Sequence, residues 1–128
     1  MSMMQSMLLV FAGGGLGSLT RFLSTELAAR LLGKGFPWGT LFVNLSGCFL
    51  IGLLAGLAER SLHLPSSLRM FLLIGFLGGF TTFSTYGLDT LHAARAGSLW
   101  IFILNIIANN AAGLLLVAAG MMLGAKSG

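Results

Sequence analysis

Four stretches of the chain carry no Lys, Arg, Asp or Glu, and this feature limits the possible folds more than any other. They are residues 1–20, 38–58, 70–88 and 96–125. An α-helix that rises 1.5 Å per residue crosses about 30 Å of hydrocarbon in ~20 residues, so each stretch is long enough, or nearly so, for one span. Only 8% of the residues are charged, against ~25% in a soluble domain, so we predict an integral membrane protein.

Helices are the structure that we expect for all four stretches. Backbone exposed to lipid must form its hydrogen bonds internally, and the strands of a membrane barrel would alternate polar and apolar residues. We predict one all-α membrane domain, 1–128, with helices at about 4–22, 38–58, 68–90 and 98–123. A cleaved signal peptide is the alternative for the first stretch, but no Lys or Arg precedes it and no A-x-A site closes it.

The basic residues are divided almost evenly between the two sides of the membrane. With four spans, one side carries three and the other carries four: Arg60, Arg69 and Lys126 against Arg21, Arg30, Lys34 and Arg95. Orientation follows the Lys and Arg asymmetry of short loops, so a difference of one gives almost no instruction. The pattern favours insertion in both orientations and an antiparallel homodimer, the alternative being one orientation set by other features. The scattered charge implies no nucleic-acid partner.

The segment GGFTTFSTY, residues 78–86, places glycines, hydroxyls and rings together inside the third apolar stretch. Glycine pairs weaken a helix, and backbone that leaves a helix at membrane depth survives only where it is buried in protein or lines a cavity. Free carbonyls coordinate cations, whereas hydroxyls and N–H groups stabilise anions. The segment predicts an ion site on a helix that breaks near residues 78–82, or helix packing with Ser and Thr bonded to carbonyls one turn earlier.

Two further patterns offer groups to an ion without fixed charge. Phe83 and Tyr86, at i and i+3, lie on one side of a helix, where ring edges suit an anion and ring faces a cation. Asn105 and Asn109, at i and i+4, form a polar stripe, and Asn44 adds another amide. Lipid or core contacts for the rings, and hydrogen bonds between helices for the amides, are the alternatives.

Several function classes lack the residues that they need. Helices 1, 2 and 4 have no carboxylate in their cores, whereas a proton-driven cation exporter needs one to exchange protons. Glu26, Glu59, His63 and His92 are predicted to lie in loops, and the lone Cys48 is interpreted as a small apolar residue within helix 2. The sequence contains no Ser/His/Asp triad, metal-binding cluster or phosphate loop, so we expect no enzyme.

Three strings together resemble the Fluc fluoride-channel family, also called CrcB. They are GGFTTFSTY at 78–86, WGTLFVNLSG at 38–47 and GGGLGSLTRF at 13–22, and the resemblance extends over nearly the whole chain. It implies a multi-pass protein of the cell inner membrane that forms a dual-topology homodimer. Two pores at the dimer interface would pass fluoride passively out of the cytoplasm and so lower its toxicity.

The resemblance also implies a metal site and a pore. A central structural Na⁺, shared by both subunits, would be bound by backbone carbonyls that match Gly78 and Thr81. The two pore aromatics match Phe83 and Tyr86, the second of which is usually phenylalanine in the family. The pore asparagine matches Asn44.

The remaining implied positions line the approach to the pore. The hydroxyl-lined track draws on positions that match Thr40, Ser84 and Thr85. Helix 4 contributes Asn105 and Asn109, where much of the family has tyrosine or serine. The vestibule positions match Arg21 and the acidic Asp89. A small proton-coupled multidrug exporter, which carries a glutamate in helix 1, and a non-transporting membrane subunit are the alternative functions.

Overall fold

The computed structural model describes residues 1–60 and 64–126, and within those ranges the regular secondary structure is entirely helical. Four helical runs are long and apolar enough to cross a membrane: Met3–Leu32, Trp38–Glu59, Ser66–Arg95 and Leu99–Lys126. The expectation of four helices long and apolar enough to span a membrane is therefore confirmed. His63, which was predicted to lie in a loop, falls outside the described residues.

The first helix, α1 (Met3–Leu32), continues ten residues beyond the predicted segment, which ended at about residue 22. Ser2 and Gln5 form a reciprocal capping box at its start, and Gly33 ends it with φ of 79°, a left-handed conformation that favours glycine. Glu26 and Arg30 lie on this helix and are exposed, so their assignment to a loop was wrong. Long charged side chains near a helix end reach out to polar surroundings, which allows the helix to continue past them.

The second run is one helix, and the other two are divided. α2 spans Trp38–Glu59. The third run contains α3 (Ser66–Arg69), a π-helical segment (Met70–Phe76), α4 (Leu77–Phe80) and α5 (Phe83–Arg95). The fourth contains α6 (Leu99–Ile107), a π-helical segment (Ala108–Ala112) and α7 (Gly113–Lys126). His92, predicted for a loop, lies in the last turn of α5, where a basic side chain complements the helix dipole.

Glycines allow the helices to pack with their backbones in contact. α1 packs against the third run, and a Cβ added at Gly17 would overlap the carbonyl of Phe76. α2 packs against α7 in the same way, because a Cβ at Gly52 would overlap the carbonyl of Val117. Small residues at such positions are typical of membrane helices, where close backbone approach replaces the hydrophobic driving force that acts in water.

Large apolar side chains lie mainly on the outside of the bundle. The buried core is small and centres on Val43, Leu77 and Phe80. Phe11 and Phe83, by contrast, are 82% and 80% exposed. A soluble protein would bury such residues, whereas a lipid environment or a second subunit covers them without loss.

Candidate functional site

Thr81 and Thr82, here called the extended pair, separate α4 from α5 with φ/ψ of −84°/157° and −149°/119°. The side-chain amide of Asn44 pairs with the backbone of Thr82. The Thr82 N–H donates to Asn44 Oδ1 at 2.8 Å, and Asn44 Nδ2 donates to the Thr82 carbonyl at 3.0 Å. In a continuous helix the Thr82 N–H would bond to the carbonyl of Gly78. Asn44 takes the place of that carbonyl and so deprives it of its helical donor.

The hydroxyl of Thr82 has a similar effect on the carbonyl of Thr81. Thr82 Oγ1 caps α5 by accepting the backbone N–H of Thr85 at 3.2 Å, and it donates to Thr85 Oγ1 at 3.2 Å. Ser84 Oγ lies 3.4 Å from the same oxygen. In a continuous helix the Thr85 N–H would bond to the carbonyl of Thr81. The carbonyl of Thr81 therefore also loses its helical donor.

Arg21 satisfies a third carbonyl at the end of α4. Its Nε donates to the carbonyl oxygen of Gly79 at 3.0 Å. A cation at a helix C-terminus is favourable because the unpaired carbonyls there carry partial negative charge. The side chain from α1 thus stabilises the end of α4 in place of the helical donor, which would be the N–H of Phe83.

The first cavity has a volume of about 550 Å³ and contains charged side chains at its wall. The predicted vestibule residues Arg21 and Asp89 both border it, together with Thr40 and Thr85 from the predicted hydroxyl track. The Thr40 hydroxyl, which is buried, donates to Asp89 Oδ2 at 3.1 Å. The fold therefore brings four of the predicted site residues to one polar cavity.

The second cavity has a volume of about 350 Å³, and no charged residue borders it among the residues that the structure describes. Its wall includes six predicted site residues: Asn44, Gly78, Thr81, Phe83, Tyr86 and Asn109. The Phe83 and Tyr86 ring centroids are 5.4 Å apart with an interplanar angle of 54°. Thr82 borders both cavities and is the one described residue that they share.

The amides of the second cavity are already occupied by protein acceptors. Asn44 Nδ2 donates to the Thr82 carbonyl and to Asn109 Oδ1, and Asn109 Nδ2 donates to two oxygens of Asn105. Asn110 Nδ2 donates to the carbonyl of Ile106 and to the Tyr86 hydroxyl oxygen at 2.9 Å. Each amide thereby uses both of its N–H groups. For Asn44 and Asn109 this corresponds to the alternative of hydrogen bonds between protein groups, not to donors that face an anion.

The Tyr86 O–H differs from these amides. Its oxygen accepts the hydrogen bond from Asn110, but the residues that the structure describes supply no acceptor for its proton. Tyr86 itself is buried and borders the second cavity. The hydroxyl is consequently available to a ligand in that cavity, an option that a phenylalanine would not provide.

Two predicted site residues border neither cavity. Asn105 is 0% exposed, its Nδ2 donates to Thr90 Oγ1 at 2.9 Å, and its Oδ1 accepts from Asn109 at 2.9 Å. Ser84 is exposed and contacts Thr82. The i, i+4 spacing correctly placed Asn105 beside Asn109, but it does not reveal that the amide of Asn105 faces the protein interior.

Thr82, Thr90 and Asn110 contribute to the site but were not among the predicted site residues. The Thr90 hydroxyl donates to the Tyr86 carbonyl at 2.7 Å, a bond to the preceding turn that the i−4 spacing could have indicated. Asn110 follows Asn109 directly, and adjacent residues do not share a face of an α-helix. The π-helical segment Ala108–Ala112 contains both residues, and both border the second cavity. Neither the hydrophobic pattern nor the i, i+4 spacing of the asparagines predicts that segment.

Four runs long and apolar enough to span a membrane, with one cavity that charged residues border and one that the described charged residues do not, define the class of this molecule, a multi-pass protein of the cell membrane. The family model for CrcB-like protein, Camphor Resistance (CrcB), matches residues 8–121, and the chain belongs to this family.

Curated relatives of this chain are named as fluoride-specific ion channels. The fluoride-specific ion channel FluC of Agrobacterium fabrum is 45% identical over 116 residues, covering 91% of this chain and 93% of the relative. That of Dehalococcoides mccartyi is 43% identical over 121 residues, covering 94% and 93%. FluC 1 of Nitrobacter hamburgensis is 50% identical over 92 residues, covering 72% and 73%.

Proposed function

We propose that this chain is a fluoride-specific ion channel of the cell membrane, which lets cytoplasmic fluoride leave passively and so lowers its toxicity. Its membership of the CrcB family, its four spans and its relatives named as fluoride-specific channels support this function. The role is transport, not catalysis. Neither the multidrug exporter nor the non-transporting subunit draws comparable support.

The observation that carries the proposal is a cavity that suits a small anion without holding it by charge. The second cavity combines two aromatic rings, Phe83 and Tyr86, with the available Tyr86 O–H. Ring edges are weakly positive, and a neutral hydroxyl donates one hydrogen bond. Such contacts replace part of the hydration of an anion and still allow it to leave, which conduction requires.

The first cavity serves as the entrance in this proposal. The guanidinium of Arg21 attracts anions toward it, and hydroxyls of Thr40 and Thr85 lie on its wall. Thr82 joins the two cavities, so we place the ion path past the extended pair. Asp89 accepts the Thr40 hydroxyl and thereby orients it at the cavity wall.

We propose further that two copies pair in opposite orientations. Phe83 is 80% exposed although its ring contacts Tyr86 beside the second cavity, so one copy leaves that cavity open on this side. A second copy would cover the ring and exclude lipid from the ion path. The balance of three basic residues against four gives neither orientation an advantage, which supports an antiparallel homodimer.

Na⁺ at the centre of the dimer fits the donors that this chain offers. Hard cations prefer oxygen ligands, and the carbonyls of Gly78 and Thr81 have both lost their helical donors to other bonds. The described residues contain no group of three or more His, Cys, Asp or Glu, so backbone oxygens are the ligands that we propose. When bound, the ion would supply positive charge to carbonyls at the end of α4. Asn44 and Thr82 leave these carbonyls without a helical donor, because their side chains accept the N–H groups of Thr82 and Thr85.

The test is ion efflux from liposomes that contain only the purified protein, with Na⁺ present throughout. Fluoride-loaded liposomes should empty fast, while matched chloride-loaded liposomes should release little. Absence of both fluxes from protein shown to be a folded dimer would refute the channel and favour the packing subunit. Comparable chloride release would refute fluoride specificity.

A further inference from the structure

A directed chain of hydrogen bonds connects the fourth run to the extended pair. Asn44 Nδ2 donates to Asn109 Oδ1 at 3.0 Å, Asn109 Nδ2 donates to Asn105 Oδ1 at 2.9 Å, and Asn105 Nδ2 donates to Thr90 Oγ1 at 2.9 Å. The Thr90 hydroxyl then donates to the Tyr86 carbonyl. Both ends of this chain, which we call the amide relay, are attached to backbone beside α5 or within it, at Thr82 and Tyr86.

The relay admits one orientation for each amide. The proton of the Thr90 hydroxyl goes to the Tyr86 carbonyl, so Thr90 must accept from Asn105, which fixes the nitrogen of that amide. The oxygen of Asn105 then accepts from Asn109, whose own oxygen accepts from Asn44. A rotated amide at any of these positions would bring two acceptors or two donors together.

This orientation is the one that the extended pair requires. Because Asn44 presents its nitrogen to Asn109, the same nitrogen reaches the Thr82 carbonyl and the oxygen reaches the Thr82 N–H. The relay thus transmits the position of a buried amide to the backbone between α4 and α5. Buried networks of this kind hold one geometry because each unpaired member is unfavourable in a low dielectric.

We infer that Asn105 is a positioning residue: it borders neither cavity, and it acts through Asn109 to hold Asn44 on the backbone of Thr82. Thr90 is its anchor. This role differs from a place in the pore wall, and it rests on the proposed function only where ion flux is the measured quantity. Without the anchor the Asn105 amide can rotate, and Asn109 is then held only by its bond to the Asn105 carbonyl. Asn44 can thereby lose one of its two acceptors, and the Thr82 N–H can return to Gly78.

Thr90 allows the sharpest test because its hydroxyl can be removed at nearly constant volume, or kept while only its methyl group is lost. Thr90→Val deletes the hydroxyl, Thr90→Ser keeps it, and Asn105→Leu removes the amide itself. Ser46→Ala is the matched control, since the Ser46 hydroxyl bonds at 2.6 Å to the Phe42 carbonyl within α2 and takes no part in the relay. Each purified protein is compared in two measurements, fluoride efflux from liposomes and NMR hydrogen exchange of the Asn44 side-chain amide.

In Thr90→Val and Asn105→Leu we expect exchange of the Asn44 amide to rise and fluoride efflux to fall, each by roughly tenfold, the order that loss of one buried hydrogen bond produces. Thr90→Ser and Ser46→Ala should match the parent protein in both. If Asn105→Leu fails to fold, the Thr90 pair still decides the question.

Unchanged exchange of the Asn44 amide in Thr90→Val would overturn the inference, whatever happens to flux. Equal losses in Thr90→Val and Thr90→Ser would also overturn it, because a hydroxyl would then not be the anchor. If the parent protein carries no fluoride while the exchange results follow expectation, the proposed function fails and the positioning role of Asn105 stands.

Discussion

The two cavities that share Thr82 differ in the way that they can treat an anion. The first is bordered by the charged residues Arg21, Lys34 and Asp89, whereas no charged residue borders the second among the described ranges 1–60 and 64–126. Charge near an entrance raises the local concentration of an ion of opposite sign, but a fixed charge inside a narrow path would hold the ion too tightly. The comparison indicates that attraction and passage are assigned to different parts of the molecule.

The most severe way to break this division is to place a carboxylate in the second cavity. Asn44→Asp puts an acceptor where the amide nitrogen now donates to Thr82 and Asn109, and its charge would repel fluoride. We expect fluoride efflux to fall by roughly 100-fold, the order that a charged group within a membrane protein produces. Liposome efflux measures the effect.

Asn110→Asp is the comparison for that variant, since Asn110 borders the same cavity but does not contact Thr82. If charge alone matters, the two variants should be equally impaired. A larger loss in Asn44→Asp would identify the additional contribution of the pairing with Thr82. Normal efflux in a correctly assembled Asn44→Asp protein would contradict the role that we assign to Asn44.

The next largest effect should come from removing charge from the first cavity. Arg21→Gln loses both the attraction for anions and the charged hydrogen bond to the Gly79 carbonyl, so we expect roughly 20-fold slower efflux. Raising the ionic strength should slow efflux in the parent protein and have less effect in the variant, because there is less charge to screen. Arg21→Lys, which keeps the charge, should be intermediate; a salt response equal in all three proteins would exclude the steering role.

Two phenylalanines of nearly equal exposure allow the dimer proposal to be sharpened. Phe83→Leu should reduce fluoride efflux by up to roughly tenfold, the order of an aromatic electrostatic contact. Phe11→Leu on α1 should leave efflux unchanged, although Phe11 and Phe83 are 82% and 80% exposed in one copy. The same response from both variants would mean that Phe83 faces lipid as Phe11 does.

The smallest effect concerns the hydroxyl that distinguishes Tyr86. Tyr86→Phe removes the available O–H but keeps the ring edge, so the channel should conduct, with a half-saturating fluoride concentration about threefold higher, as loss of one neutral hydrogen bond predicts. Asn110→Leu, which leaves the hydroxyl in place without its donor, should give a smaller shift. An unchanged concentration dependence in Tyr86→Phe would remove the hydroxyl from the ion path.

Sequence patterns predicted the spans better than the positions at which they end. The length of the charge-free stretches identified all four spans. The end of α1 was predicted too early, because Glu26 and Arg30 were assigned to a loop but are exposed residues of a helix that continues to Leu32. The start of α1, by contrast, is indicated by a sequence pattern, the capping box of Ser2 and Gln5. His92 was misplaced for the same reason as Glu26, since a polar residue near a helix end does not terminate the helix.

The sequence predicted which residues border the cavities better than it predicted which of these residues contact one another. Most of the residues that motif matching selected border one of the two cavities, including Arg21, Thr40 and Asn44. It could not tell that Asn105 faces Thr90, because direction around a helix follows from how the fourth run packs on its neighbours. The π-helical segment Ala108–Ala112 also changes which residues share a face of the helix, and the i, i+4 spacing of an α-helix does not predict this change.

The sequence by itself determined the class of the molecule, since hydrophobic length and scarcity of charge decide whether a chain is stable in lipid or in water. It also determined which polar groups enter the membrane. Only the tertiary structure decided which of them satisfy one another and which remain for an ion. In a low dielectric nearly every donor must find an acceptor, and the choice depends on distances between helices that are far apart in sequence. Here those distances commit Asn44, Asn105 and Asn109 to the protein and leave the Tyr86 hydroxyl to the cavity.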